Sequence, residues 1–342
     1  MSGAGSDAGA ALRAGDAAAA ALRAVDPAAA SGRDTGSVAR RDAARGALIG
    51  LAVGDALGTT VEFTSPGSFE PVTDIVGGGP FGLEPGEWTD DTSMALCLAE
   101  SLVETGGFDP LDQMRRYVRW WREGHLSVNG RCFDIGNATR AALSSFERSG
   151  DAFSGSEDSQ SAGNGSLMRL APVPMAFHHD PAAALRLAGE SSRTTHGAAE
   201  CVSACRYYAG LMVGAINGAT KAELLAPHYS PVAGGLDGLA PGVAEVAGGS
   251  FLHREPPVVR GAGYVVRSLE AALWAFARAA SFEEGALLAV NLGEDADTIG
   301  AVYGQLAGAY YGESGIPERW REVLAMRDVI SRLADGLVAL AG

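Results

Sequence analysis

The sequence contains 342 residues, enough for one large domain or two ordinary ones with a sizeable buried core. Its 26 basic and 41 acidic side chains give a formal net charge of −15, which argues against a nucleic-acid backbone or an anionic membrane as the main partner. With 47% hydrophobic and 20% charged residues, the chain as a whole is not intrinsically disordered.

The cysteine content and the hydropathy pattern indicate the compartment. Four cysteines are too few for a disulfide scaffold and are typical of a reducing environment: Cys97, Cys132, Cys201 and Cys205. No apolar run reaches the length of a membrane span, and residues 1–16 lack the basic and apolar regions of a signal peptide. We therefore expect a soluble, cytoplasmic, globular protein.

Residues 1–40 are rich in Ala and Gly with few large apolar side chains, which predicts a flexible N-terminal tail or a weak helix. From Arg41 onward the apolar residues recur at helical spacing, which predicts a helix over 41–57 with Asp42 as its N-cap. The same spacing predicts further helices over 93–104, 110–123, 135–146, 181–188, 198–217, 267–279, 282–292 and 298–311.

Convincing strands are absent from the sequence, and the Gly-rich stretches 77–86 and 234–249 predict loops. Small residues inside the predicted helices indicate close contacts between helices, and the helix over 298–311 alternates small and large side chains. We see no internal repeat. The sequence predicts one all-α domain, a compact multi-helix bundle over residues 41–342, behind the N-terminal tail.

Two acidic clusters each precede a predicted helix. The first contains Thr89, Asp90 and Asp91, and the second contains Asp295, Asp297 and Thr298. Each cluster alone is explained equally well by helix capping. Adjacent carboxylates repel one another, however, and a cation between the clusters would relieve that repulsion. Hard oxygen ligands suit Mg²⁺ or Mn²⁺ rather than Zn²⁺, so the matching pair favours a site for two divalent ions.

Three weaker features accompany the clusters. The Gly-rich turn 163–169 could direct N–H groups at a phosphate or ribose, although an ordinary helix-entry loop explains it as well. His196 precedes a helix, where a packing or capping histidine is the alternative to a ligand-binding one. Cys201 and Cys205 share one helix face and are predicted to be core residues.

Five segments together resemble the ADP-ribosylglycohydrolase family: 46–58 with 61–63, 86–94, 134–140, 164–169 and 294–300. The resemblance extends over residues 41–312. It implies an all-α fold with a dinuclear Mg²⁺ or Mn²⁺ centre in a cleft, and an activity that hydrolyses the bond between ADP-ribose and a modified acceptor. Protein arginine is the acceptor favoured by analogy with bacterial members.

The resemblance also implies roles for individual residues. The metal ligands would be Thr89, Asp90, Asp91, Asp295, Asp297 and Thr298. The residues acting in catalysis would include Glu62, Asp91, Asp134 and Asp295. Substrate would be held by Gly136, Asn137, Asn164, Gly165, Ser166, His196 and Tyr264, with Asn137 and Asp134 facing the scissile sugar and Tyr264 near the adenine. Glu294 departs from the family pattern, which often has Gly there, and leaves the metal geometry open.

Hydrolysis at the anomeric carbon needs an activated water, and an acidic side chain near the metals would take its proton. Asp134, Glu62 and a ligand carboxylate are all candidates. Two other functions compete with hydrolysis: a non-catalytic ADP-ribose-binding module, and a dinuclear phosphohydrolase, which would normally use His ligands. The expected partner is an ADP-ribosylated protein. Serine-linked, nucleic-acid-linked and free ADP-ribose conjugates stay open, and we expect a monomer.

Overall fold

A computed structural model describes residues 35–342, so most of the predicted tail lies outside the described residues. Within this range the chain forms fourteen α-helices and no strand, which confirms the predicted all-α fold. The helices are α1 (Thr35–Gly58), α2 (Asp90–Thr105), α3 (Pro110–Glu123), α4 (Asn137–Ser149), α5 (Pro172–Phe177), α6 (Pro181–Arg193), α7 (Ala199–Ile216), α8 (Lys221–Leu224), α9 (Pro241–Ala247), α10 (Val265–Arg278), α11 (Phe282–Val290), α12 (Ala296–Tyr311), α13 (Glu318–Val323) and α14 (Arg327–Leu340).

The first helix begins earlier than predicted, at Thr35 rather than near residue 41, and Asp42 is not its N-cap. Asp42 lies inside α1 and accepts hydrogen bonds from the backbone N–H and the hydroxyl of Ser314, at 3.1 and 2.7 Å. Arg41 donates to Asp335 on α14 at 2.8 Å. Polar contacts therefore hold this part of α1. The spacing of apolar residues, from which the helix was predicted, gives no information about such contacts.

Five helices were not predicted: α5, α8, α9, α13 and α14. Four of them have only 4 to 7 residues, too few to display a helical period. The predicted helix starts also move: Asp90 and Asp91 lie in the first turn of α2, and Asp297 lies in the first turn of α12. Both acidic clusters therefore lie at helix N-termini, where the helix dipole favours negative charge.

Helices α1 and α12 pack against each other along aligned glycines, as the small residues predicted. A methyl group built on Gly46, Gly50 or Gly54 would overlap the carbonyl oxygen of Gly308, Gly304 or Gly300, respectively. The pairing is antiparallel, so the end of α1 meets the start of α12, where Gly58 contacts Ala296. The close packing of these two backbones therefore brings the end of α1 to the second acidic cluster.

The core around this pair is continuous, and it contains the predicted core cysteines. Cys201 and Cys205 are buried and free, on the face of α7 that packs into the core. None of the helices within residues 35–342 is both long enough and apolar enough to cross a membrane.

Candidate active site

Asp55, near the end of α1, organises the first acidic cluster. Its fully buried carboxylate accepts hydrogen bonds from the backbone N–H groups of Thr89 and Thr92 at 2.9 and 3.0 Å, and from their hydroxyls at 3.0 and 2.6 Å. Thr89 is the N-cap of α2 but makes no capping bond with its own side chain. Asp55 therefore caps α2 from another helix, and thereby fixes the turn that carries Asp90 and Asp91.

The two acidic clusters meet at the Thr89 hydroxyl. This oxygen lies 3.0 Å from Asp55 Oδ1, 3.2 Å from Asp91 Oδ2 and 3.1 Å from Asp297 Oδ2. A hydroxyl has one proton and can donate to only one of these three carboxylates. The carboxylates that receive no proton from Thr89 repel one another. Additional protons or a cation are therefore required to hold their oxygens this close together.

A second group of carboxylates adjoins the first. One oxygen each from Glu62, Asp134 and Asp297 lies within 4.8 Å of the other two, a spacing that could hold a metal ion. Three buried carboxylate oxygens nearby have no hydrogen-bond partner: Glu62 Oε2, Asp91 Oδ1 and Asp297 Oδ1. Unpartnered buried carboxylate oxygens are costly, and divalent cations such as Mg²⁺ and Mn²⁺ prefer such donors. The donor set therefore fits a metal ion.

The pKa values in the cluster reflect burial first and mutual repulsion second. Burial raises the pKa of Asp55 to about 6, even though its four hydrogen bonds oppose the shift. Burial, reinforced by neighbouring carboxylates, raises the pKa of Asp134 to about 7 and that of Glu62 to about 9. The same two causes raise the pKa values of Asp90, Asp91 and Asp297 well above the ordinary range. Without a counter-charge, this cluster holds protons.

Asp295 joins the carboxylates to the Gly-rich turn. Its Oδ2 accepts a hydrogen bond from Asn164 Nδ2 at 2.7 Å, and it is also hydrogen-bonded to Thr298. Asn164 donates in addition to Ser268 Oγ at 2.9 Å, and its backbone N–H donates to Gly263 at 3.0 Å. The amide of Asn164 therefore orients Asp295, besides belonging to the predicted substrate-binding turn.

The turn itself offers backbone donors rather than side chains. Leu167 and Met168 donate back to the Asn164 carbonyl, whereas the N–H groups of Gly165 and Ser166 have no acceptor among the described residues. The Ser166 side chain is buried, with its oxygen 2.8 Å from Ser192 Oγ and 3.5 Å from Cys205 Sγ. Its hydroxyl thus contacts protein groups, and the free N–H groups are the donors that an anion would meet.

His196 packs beneath this turn. Its Nδ1 lies 2.8 Å from the Thr195 hydroxyl, and a methyl group on Gly165 would overlap its ring. Burial, together with the nearby charge of Arg169, lowers the pKa of His196 to about 3. The imidazole is therefore neutral, and it supports the turn rather than the carboxylate cluster.

The remaining predicted substrate residues lie on the surface around the cluster. Gly136 and Asn137 are exposed at the N-terminus of α4, directly after Asp134. Tyr264 is 39% exposed and donates to Glu200 at 2.7 Å, and it pairs through its backbone with Gly163. Their substrate contacts stay predictions.

Glu294, the departure from the family pattern, does not face the carboxylates. Its side chain pairs with Arg260 through two hydrogen bonds of 3.1 and 2.6 Å. Its backbone, at φ 57°, bonds to Phe63 and Thr64, at 2.6 and 2.7 Å, and so ties the loop after Glu62 to the start of α12.

Two residues at the site had no predicted role. Asp55 is the one acidic residue in the otherwise apolar stretch 46–58 of α1, and that isolation was the available signal. Arg169 closes the Gly-rich turn, is fully buried and donates to the Gly165 carbonyl at 2.9 Å and the Thr195 hydroxyl at 2.7 Å. Its guanidinium also lies 4.6 Å from the centre of the Tyr117 ring. These contacts hold the turn against the segment that carries His196.

Comparison with known proteins identifies the family to which this chain belongs. A family model described as ADP-ribosylglycohydrolase matches residues 36–342. The chain belongs to the ADP-ribosylglycohydrolase family. A protein of Pseudomonas putida strain GB-1 named ADP-ribosylarginine hydrolase Tri1 is 48% identical over 296 residues, which cover 86% of this chain and 78% of that protein.

Two further similarities support this membership of the ADP-ribosylglycohydrolase family. ADP-ribosyl-[dinitrogen reductase] glycohydrolase of Rhodospirillum rubrum is 33% identical over 314 residues, covering 88% of this chain and 97% of that protein. A solved structure described as an ADP-ribosylglycohydrolase-related protein complex has a TM-score of 0.78 and 50% identity, covering 89% of this chain and 99% of that one.

Proposed function

We propose that this protein hydrolyses the glycosidic bond between ADP-ribose and an arginine side chain of a modified protein, releasing ADP-ribose. The observation that carries the proposal is the convergence of both acidic clusters on one buried site, next to a turn with free backbone donors. The name of one relative, ADP-ribosylarginine hydrolase, supports arginine as the acceptor, and the name of another, ADP-ribosyl-[dinitrogen reductase] glycohydrolase, supports a modified protein as the substrate.

The turn is suited to the diphosphate of ADP-ribose. An acidic protein needs local donors for a dianion, and the free N–H groups of Gly165 and Ser166 provide them. Asn164 donates a hydrogen bond to Asp295 at 2.7 Å, which connects the turn directly to the carboxylates. A diphosphate bound at the turn would therefore present its ribose to the carboxylates.

The carboxylates are suited to two divalent cations, Mg²⁺ or Mn²⁺. We assign Thr89, Asp90, Asp91, Asp295, Asp297 and Thr298 as the residues that would hold them, with the unpartnered oxygens of Asp91 and Asp297 as donors. When bound, such ions orient hydroxyl groups and lower the pKa of water.

Glu62 and Asp134 are the groups placed to move a proton. One carboxylate oxygen of Glu62 lies within 4.8 Å of one of Asp134, and burial together with neighbouring carboxylates raises the pKa of both groups. Glu62 Oε2 has no partner, and where a bound cation favours the ionised form of Glu62, this oxygen can accept the proton of an attacking water. Asp134, the other acid, then keeps the Glu62 oxygen in position.

The two competing functions have less support. A phosphohydrolase would place His among the carboxylates, whereas His196 lies beneath the turn and no His belongs to the described metal-binding group. A binding module needs no proton-accepting pair, and none of the predicted ligand carboxylates is missing from the cluster.

The test is incubation with an arginine-ADP-ribosylated protein in Mg²⁺, Mn²⁺ or EDTA, followed by chromatography of the released nucleotide. We expect free ADP-ribose with metal and none with EDTA, and less from a serine-linked peptide. Release of AMP would support the phosphohydrolase. ADP-ribose binding without any release would support the binding module.

A further inference from the structure

Three phenylalanines form an aromatic rim that joins the segments carrying Glu62 and Asp134. Phe63 and Phe81 have ring centroids 6.5 Å apart at 73°, and Phe81 and Phe133 have centroids 5.1 Å apart at 60°. We call Phe63, Phe81 and Phe133 the aromatic rim. Phe63 directly follows Glu62, and Phe133 directly precedes Asp134. The two ends of the rim are therefore joined covalently to the two acids.

Phe63 is exposed in a way that core packing does not explain. Its side chain is 66% exposed, and among the described Phe, Tyr and Trp residues only Tyr264, at 39%, is also exposed. Its backbone has φ 60°, uncommon for a bulky residue, and its N–H donates to Glu294 at 2.6 Å. The loop is thus held in a fixed conformation that leaves an apolar ring uncovered.

The two exposed aromatic residues lie on different segments of the chain. Tyr264 pairs with Gly163 next to the Gly-rich turn, where the nucleotide would bind. Phe63 instead lies beside Glu62, whose carboxylate approaches those of Asp134 and Asp297. A substrate anchored at the turn and reacting at the carboxylates would leave its acceptor side chain on the Phe63 side.

We infer that the aromatic rim is an acceptor subsite in which Phe63 stacks on the guanidinium of the ADP-ribosylated arginine. This inference rests on the proposed function. A guanidinium is planar and positively charged, so it stacks on aromatic faces and is attracted by neighbouring carboxylates. Phe63 offers the aromatic ring, and the adjacent Glu62 offers the negative charge when a bound cation favours its ionised form. A serine acceptor has neither the plane nor the charge, so the rim selects arginine.

The test compares wild type with Phe63→Ala in the metal-loaded full-length enzyme. The readouts are KM and kcat for an ADP-ribosyl-arginine peptide and Kd for ADP-ribose, which lacks the acceptor. We expect the KM for the peptide to rise by roughly three- to tenfold, with the Kd for ADP-ribose changed by less than about twofold. Phe63→Trp should retain the wild-type KM. Val38→Ala, at a residue 69% exposed near the start of α1, is the control for loss of an exposed apolar side chain.

The outcomes separate this inference from the proposed function. An unchanged KM in Phe63→Ala, while the wild type releases ADP-ribose, overturns the acceptor subsite alone. A parallel rise in the Kd for ADP-ribose also overturns it, because the ring would then hold the nucleotide. A wild type that releases no ADP-ribose from the arginine peptide removes the proposed function and this inference with it. Equal melting temperatures for the variants establish that the changes in KM are not caused by unfolding.

Discussion

Asp55 illustrates how one side chain can organise a site without being a reactive group. Four donors from Thr89 and Thr92 converge on its buried carboxylate, at 2.6 to 3.0 Å. An ionised carboxylate accepts all of them, because it has two oxygens and no proton. The hydrogen bonds oppose the effect of burial on its pKa, which nevertheless rises to about 6. Burial of the Asp55 carboxylate is electrostatically unfavourable, but its hydrogen bonds fix the start of α2.

Asp55→Asn should separate this organising role from charge in general. The amide NH₂ would face backbone and hydroxyl donors, so we expect a loss of about 1–3 kcal/mol in the free energy of unfolding at pH 8. Differential scanning calorimetry would measure it. Asp42→Asn is the matched control, because Asp42 also accepts from a backbone N–H and a hydroxyl but at a partly exposed position. Equal, small losses in both variants would contradict the organising role of Asp55.

At the scale of elements, the contact between α1 and α12 determines where the two acidic clusters lie. Their glycines allow the backbones to touch, with Gly58 against Ala296 at the end that carries Asp55 and Asp297. The Thr89 hydroxyl lies 3.1 Å from Asp297 Oδ2. A larger distance between α1 and α12 would move Asp297 away from Thr89. The packing of α1 against α12 therefore also determines the geometry of the site.

Gly304→Ala tests this constraint. The added methyl group would overlap the Gly50 carbonyl oxygen, which is backbone and cannot rotate away. We expect a loss of about 1–3 kcal/mol or more in the free energy of unfolding, together with weaker metal binding, measured by denaturant titration and calorimetry. Gly36→Ala, where nothing lies within 4 Å of the added methyl and alanine favours the helix, should be neutral or slightly stabilising. A neutral Gly304→Ala would mean that the helices can separate without cost.

How much of the structure the sequence could predict differs from element to element. Long helices were predictable because α3 and α10 have periodic apolar faces and α12 has a small-residue pattern, and the acidic motifs pointed to Asp91 and Asp297. The roles of Asp55 and Arg169 were not predictable. Both depend on which hydroxyls and carbonyls the fold brings to them from distant segments. The start of α1 was missed because residues 36–41 are exposed and therefore present no periodic apolar face.

At the scale of the whole molecule, the carboxylate cluster should link stability to pH and metal. The pKa values of Asp55, Asp134 and Glu62 rise to about 6, 7 and 9, above their ordinary values in the unfolded chain. Acids with raised pKa values contribute stability at low pH, and that contribution is lost as the pH rises through the folded-state values.

The metal-free protein should therefore lose melting temperature between about pH 5 and pH 9, by several degrees in total. Mg²⁺ should largely abolish this loss, because a cation favours the ionised carboxylates and stabilises the native state by mass action. Thermal scans in EDTA and in MgCl₂ at equal ionic strength would measure both effects. Identical pH profiles with and without Mg²⁺ would contradict a metal site in this cluster.

The central claim is that the converged carboxylates are the catalytic centre of a hydrolase, and Asp91→Asn tests it most directly. Asp91 has one oxygen 3.2 Å from the Thr89 hydroxyl and the other buried without a partner, so the change removes a negative charge where we assign the metals. The measurement is kcat for release of ADP-ribose from an arginine-ADP-ribosylated protein in saturating Mg²⁺. We predict a fall of about 100-fold or more, because metal activation of water contributes several kcal/mol to transition-state stabilisation. Wild-type turnover in the Asp91→Asn variant would contradict the claim and leave the site as a binding module.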